Sequence, residues 1–182
     1  MKELDLVISG YAGARGASRI ARNYQKELCS RFRPEYVHRI LRAEEQRLCG
    51  HPESRERAEE SGALEVFKAE RGGILAAVYA AAQQKKCGLR LFLPKVPVRQ
   101  ETIEICEWFR LNPYRLYSDC LLSLSESGIR LEQRLCEQGI PSACVGFLTE
   151  SPDKVVIGKK EPEYLNPPEA DELLKLFPGA FF

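Results

Sequence analysis

The chain has no charge excess, no long apolar run and little of the chemistry that marks a familiar site. Its 27 lysines and arginines offset 26 aspartates and glutamates, leaving a formal net charge of +1. No overall field therefore argues for nucleic acid or an anionic membrane surface. No apolar stretch approaches the ~20 residues that a membrane-crossing helix needs. The opening residues MKELDLVISGYAGA place Glu3 and Asp5 where a signal sequence would need its apolar core, so secretion is not expected. Only His38 and His51 are histidines, and no C-x-x-C pair occurs among the seven cysteines. Zinc sites need close Cys/His pairs, so a zinc site is not expected. Cys29, Cys49, Cys87, Cys106, Cys120, Cys136 and Cys144 read instead as reduced thiols of a cytoplasmic protein, several of them core fillers.

Length and composition suit one domain. The 182 residues are 44% apolar and 29% charged, enough to bury a core without staples. LDLVIS (4–9) reads as a strand. After GYAGARGAS, the spacing of Ala17, Ile20, Ala21, Tyr24 and Leu28 predicts a helix. Pro34 suits the first turn of a second helix, with Val37, Ile40, Leu41 and Leu48 on its apolar face and Gly50 as its end. HPESRERAEESG (51–62) reads as a solvated helical insert or connection with i,i+4 charge pairs.

ALEVFK (63–68) reads as a strand running into Gly72-Gly73 and a slim, alanine-rich helix to about Lys86, with Gly88 as its cap. LRLFL (89–93) is a strand. ETIEICEWF (101–109) is an amphipathic helix with Ile103, Cys106 and Phe109 on one side, and LNPYRLYSD is a bent connector. CLLSLS (120–125) is a strand, 126–139 a helix, and ACVGFLT (143–149) and KVVIG (154–158) are strands. The tail ends in a short helix whose Leu173, Leu174 and Phe177 could dock on the body. This order predicts an α+β fold: a layered α/β domain with one mixed, largely antiparallel sheet covered by helices.

The paired glycines pose the functional question. Paired glycines before a smooth helix either let backbone approach a ligand at the helix N-terminus or merely turn a tight corner. Other constellations read as surface or core: Glu101, Glu104 and Glu107 as a solvated helix face, Trp108 and Phe109 as core or interface.

Several stretches carry a resemblance. LDLVISGYAGARGASRIA (4–21), GGILAAVYAAA (72–82), KVPVRQETIEICEWFRLNPYRL (95–116), GIPSACVGFLTE (139–150) and YLNPPEADELLKL (164–176) together resemble the C-terminal domain of the AIR synthase (PurM)-related superfamily, in its HypE-like branch. That resemblance covers nearly the whole chain and implies a single PurM C-terminal-type domain over 1–182, with the N-terminal ATP-binding domain absent. Superfamily members use ATP to phosphorylate an oxygen of a small substrate, with magnesium held by acidic residues of the N-terminal domain.

The resemblance also shows departures. The glycine loop of the family reads Asp-x-Thr-Glu/Asp-Gly-Gly, whereas here it reads Lys68, Ala69, Glu70, Arg71, Gly72, Gly73. Lysine and arginine cannot ligate magnesium, which takes oxygen donors. GARGAS (13–18) carries Arg15 and Ala17 where HypE-like proteins tend to have an acid and a small hydroxyl residue, and PGAFF ends the chain without the cysteine that accepts a carbamoyl group.

The implied reading is a stand-alone, non-catalytic domain, a pseudoenzyme that binds a small anionic ligand or a protein partner. Its ligand-binding residues would be Gly72, Gly73, Arg71, Lys68, Gly13, Arg15 and Gly16, with no catalytic residue and no metal. ATP would serve only with a partner domain. The alternative is one subunit of a split ATP-dependent enzyme, completed by a separate N-terminal-domain protein; self-association is the remaining use of an exposed face. Neither nucleic acid nor membrane is an expected partner.

Overall fold

LDLVIS is apolar on both sides because β1 (Asp5–Ser9) lies inside a sheet covered on both faces: Leu6, Val7 and Ile8 are all fully buried. The computed structural model describes residues 3–43 and 52–179. Within them, β1 is followed by α1 (Ala14–Asn23), α2 (Gln25–Arg31), α3 (Pro34–Ala43) and α4 (Pro52–Ser61). Then come β2 (Glu65–Ala69), α5 (Gly73–Lys85), β3 (Gly88–Phe92), α6 (Gln100–Phe109), β4 (Cys120–Ser125) and α7 (Gly128–Glu137). Strands β5 (Ser142–Thr149), β6 (Lys154–Ile157) and β7 (Glu163–Tyr164) finish the sheet, and a 3₁₀ turn over Glu172–Lys175 ends the tail.

The seven strands are ordered β2-β4-β1-β5-β3-β6-β7. Each neighbouring pair is antiparallel except β3 with β6. The fold is therefore α+β, with the mixed and largely antiparallel sheet that the order of elements predicts. Residues opposite one another across a ladder share a face. Leu6, Leu124 and Glu65 are in register, and Lys85 at the end of α5 ion-pairs with Glu65, which places α5 on that face. Gly128 at the start of α7 donates its N–H to Asp5 at 2.7 Å, which places α7 on the other. One apolar core spans the sheet, α5 and α7. A second, formed by Ala17, Ile20, Leu28, Val37, Ile105 and Leu116 with Leu173 from the tail, holds α1, α2, α3 and α6 together.

Several local expectations are corrected. The helix expected through Leu28 breaks at Tyr24, whose φ of −111° and ψ of 27° leave helical geometry. The Tyr24 ring packs against Phe109 and Phe177, with centroids 5.0 and 5.7 Å away, and Leu28 stays fully buried in α2. Long-range packing here overrides helical period. Gly88 does not cap α5. Lys86 takes the left-handed position with φ 54°, and Gly88 opens β3 where a Cβ would overlap the carbonyl oxygens of Ser151 and Asp153.

On α6 the buried face is Thr102, Ile105 and Cys106, while Ile103 is 40% exposed. Thr102 faces Gly13, where an added Cβ would lie 3.0 Å from the Thr102 methyl. Trp108 is neither core nor buried: at 42% exposure it donates to Glu27 and stacks beside Arg31. The insert forms helix α4 with its i,i+4 pairs Arg55–Glu59 and Arg57–Glu53, yet buries Ala58 and Ser61. β7 has no counterpart among the expected strands, and the short helix expected of the tail is a 3₁₀ helix, Glu172–Lys175, with Leu173 fully buried and Phe177 packed on the second core. Leu48, Cys49, Gly50 and His51 lie outside the described residues.

Candidate functional site: two glycine corners on one connector

The chain leaves β2 at Ala69, which pairs with Cys120, and must reverse at once onto the sheet as α5. Gly72 and Gly73 make that reversal with φ of 70° and 64°, a region that costs a residue with a side chain about 1–2 kcal/mol. Space excludes a side chain as well. A Cβ on Gly73 would overlap Tyr114 O and lie 2.8 Å from Leu116 O; one on Gly72 would lie 2.8 Å from Ala76 Cβ. Gly73 is thus glycine because the 112–118 connector crosses directly over it.

The first amides of a helix have no partner within it, and here the chain itself supplies partners. Gly72 N–H donates to Asp171 Oδ2 at 2.7 Å, Gly73 N–H to Glu70 O at 3.2 Å, and Leu75 N–H to Tyr114 O at 3.2 Å. The other Asp171 oxygen, Oδ1, accepts from Tyr117 N–H at 3.2 Å and Leu173 N–H at 2.9 Å. Asp171 is only 7% exposed. A negative group at a helix N-terminus is favourable, and Asp171 is that group.

The α1 corner has the same construction. Gly13 precedes the helix with φ 67°, and its N–H donates to Ser118 Oγ at 2.8 Å. Ser118 is fully buried, and its own O–H donates to Leu116 O at 2.9 Å. Gly16 N–H donates to Tyr117 O at 2.8 Å, and a Cβ on Gly16 would overlap the Leu116 side chain. Both corners therefore close on one connector. It is pinned from the β2 side too, by Ser118 N–H donating to Glu70 O at 3.0 Å.

The structure brings Gly13, Gly16, Gly72 and Gly73 together around this connector, with the three cations differently placed. Arg15 lies 3.8 Å from Asp119, with its guanidinium 5.5 Å from the centre of the Tyr117 ring. Lys68 is exposed on β2 opposite Leu121. Arg71 is exposed and lines an open cleft of about 260 Å³ with Gly72, Pro168, Glu169, Asp171 and Leu174. Glu169, one of the lining residues, ion-pairs with Arg115 of the connector.

Asp171 and Ser118 are the residues that sequence reasoning missed. Asp171 precedes a short apolar run, a pattern that marks a helix cap, and it does cap Leu173. Its bond to Gly72, 99 residues away, leaves no local trace.

The remaining groups are quiet. Glu104 accepts from Tyr36 and Gln100, and Glu101 pairs with Arg39. Burial, followed by the charges of Glu172 and Glu107, pushes the Cys106 thiol up to about 12. Burial also raises the thiols of Cys87, Cys120 and Cys144, so these cysteines are not poised as nucleophiles. Among the described residues no group of three or more His, Cys, Asp or Glu could hold a metal ion, and no helix is long and apolar enough to cross a membrane.

No protein-family model and no curated protein matches the chain. Solved structures do. A crystal structure of the hydrogenase maturation protein HypE in complex with ATP superposes with a TM-score of 0.65 at 15% identity, over 95% of this chain and 52% of that one. A HypE–HypF complex gives 0.66 at 15% identity, over 92% and 53%. Thiamine-monophosphate kinase from Stenotrophomonas maltophilia K279a gives 0.59 at 17% identity, over 87% and 50%. The chain thus has the PurM-like fold of these proteins and spans about half of their length, consistent with the C-terminal-domain fold that the resemblance implies.

Proposed function

We propose that this chain acts as a non-catalytic binding domain on the HypE-like fold and that it works by docking to a protein partner. The observation that carries the reading is Asp171: its carboxylate holds the Gly72 amide that a phosphate would need, and its charge opposes any second anion there. That favours a partner protein over a small anionic ligand. Lys68 and Arg71, which stand where the resembling family carries acids, offer magnesium no oxygen donor from their side chains. A solved HypE is found in complex with HypF, so the fold is compatible with partner binding.

Calorimetric titration with ATP, ADP and phosphate, each with and without magnesium, tests the reading. No saturable heat is expected. ATP turnover by the purified chain would sink it, and phosphate binding weakened by Arg71→Ala would return the site to a small anion. A second reading, a subunit of a split ATP-dependent enzyme, is favoured by one observation: the match spans only half of each related chain. It requires turnover to appear when a separate ATP-binding domain of that fold is added.

A further inference from the structure

The sheet ends in two strands of different character, β2 and β7. β7 is blunted: it is two residues long, both exposed, and is entered through Pro162. β2 is five residues long and carries no proline. Which of its backbone groups look outward follows from one bond and the alternation of antiparallel ladders. Gly10 N–H donates to Pro141 O at 2.8 Å, so along β1 Gly10 and Ile8 face β5, whereas Val7 and Ser9 face β4. Val7 lies opposite Ser123, so Ser123 turns to β1, and its neighbours Leu122 and Leu124 turn to β2. They meet Phe67 and Glu65, which leaves the N–H and C=O of Val66 and Lys68 pointing out of the sheet. Among the described residues nothing bonds to those outward groups.

We propose that β2 pairs with β2 of a second copy of this chain, antiparallel, about a two-fold axis through Phe67. The complement of an unpaired strand edge is another strand, and this edge is its own complement. With the axis at Phe67, the N–H and C=O of Val66 meet the C=O and N–H of the second copy's Lys68, and symmetry repeats the exchange, so every outward group is used. Phe67 then lies opposite its own copy in the close, non-hydrogen-bonded position, where aromatic pairs are favourable. Like charges do not oppose: Lys68 faces Val66, and Glu65, already ion-paired with Lys85, faces Ala69. Neighbouring registers fail. An axis at Lys68 sets lysine against lysine, and an axis at Val66 sets Lys68 against Leu64, whose N–H is already given to Leu124 O. Leu64, 58% exposed, lies at the end of the same edge. This contact goes beyond the docking reading and does not depend on it.

The experiment uses the full chain. Sedimentation velocity should show a dimer giving way to a monomer over about a thousandfold dilution. Residue-resolved hydrogen exchange reads the register. On dilution the amides of Val66 and Lys68 should exchange about tenfold faster, while those of Glu65, Phe67 and Ala69, which face β4, stay unchanged. Lys68→Pro removes an outward donor and leaves the β4 ladder intact, a placement in which an edge strand tolerates proline. It should leave the chain monomeric with the Phe67 amide still protected; should it fail to fold, the exchange on dilution decides alone. Three results would overturn the proposal: a monomer at every concentration; a dimer in which Val66 and Lys68 exchange as fast as in the monomer, which would put the contact elsewhere; or a folded Lys68→Pro variant that still dimerises. None of them alters the nucleotide titrations, and ATP turnover would defeat the non-catalytic reading without touching the dimer.

Discussion

The α1 and α5 corners share one backbone solution and differ in what seals it. Both enter a helix through a left-handed glycine, Gly13 and Gly72, whose amide would otherwise lack a helical partner. At α1 the seal is neutral and belongs to the connector itself, the hydroxyl of Ser118. At α5 it is a carboxylate brought from the tail, Asp171. The hydroxyl serves one amide of the α1 corner, whereas the Asp171 carboxylate gathers three amides, those of Gly72, Tyr117 and Leu173, and so ties the 171–177 segment to both the α5 corner and the connector.

Breaking the corners should rank their constraints. Gly73→Ala comes first, because its Cβ meets two backbone carbonyls of the connector, which cannot rotate away as a side chain can. A loss of about 3 kcal/mol or more is expected, lowering the melting temperature by about 10 °C. Ser118→Ala should follow at about 1–3 kcal/mol, since it leaves the buried Gly13 amide without its acceptor. Asp171→Asn should cost a similar amount, about 1–3 kcal/mol, because both carboxylate oxygens accept from amides and asparagine has one oxygen, so its NH2 group would face the amide of Gly72 or those of Tyr117 and Leu173. Thermal unfolding of the three variants checks the order. A cost for Asp171→Asn well below that for Ser118→Ala would mean that the carboxylate seals its corner only weakly, and the contrast between the corners would fail.

The sequence made the corners visible but not their seals. CLLSLS is bounded by Asp119 and Glu126, and β4 occupies those same six residues, Cys120–Ser125. Gly72-Gly73 announces a reversal because few other residues can make one. Helix faces were less legible. Ile103 and Thr102 are neighbours, and it is Thr102 that turns inward, beside Gly13, a contact between distant segments that the apolar spacing of α6 does not carry. The same holds for Tyr24, which ends α1 while packed against two aromatics from distant segments. Reading cations beside glycines suggested an anion site of Arg15, Lys68 and Arg71. Composition cannot reveal that the nearest anion to the Gly72 amide is a carboxylate of the same chain, 99 residues away.

The smallest expected effect sharpens the comparison most. Gly139 after α7 also has a positive φ, 77°, but a Cβ built there meets nothing within 4 Å. Gly139→Ala therefore isolates the conformational penalty, about 1 kcal/mol, with no overlap added. Subtracting its measured cost from that of Gly73→Ala leaves what the connector contributes by lying across α5. Equal costs would mean that Gly73 is glycine for its torsion alone and that the connector yields. A large remainder would mean that the connector is a fixed wall, beside which only a residue without a side chain can start α5.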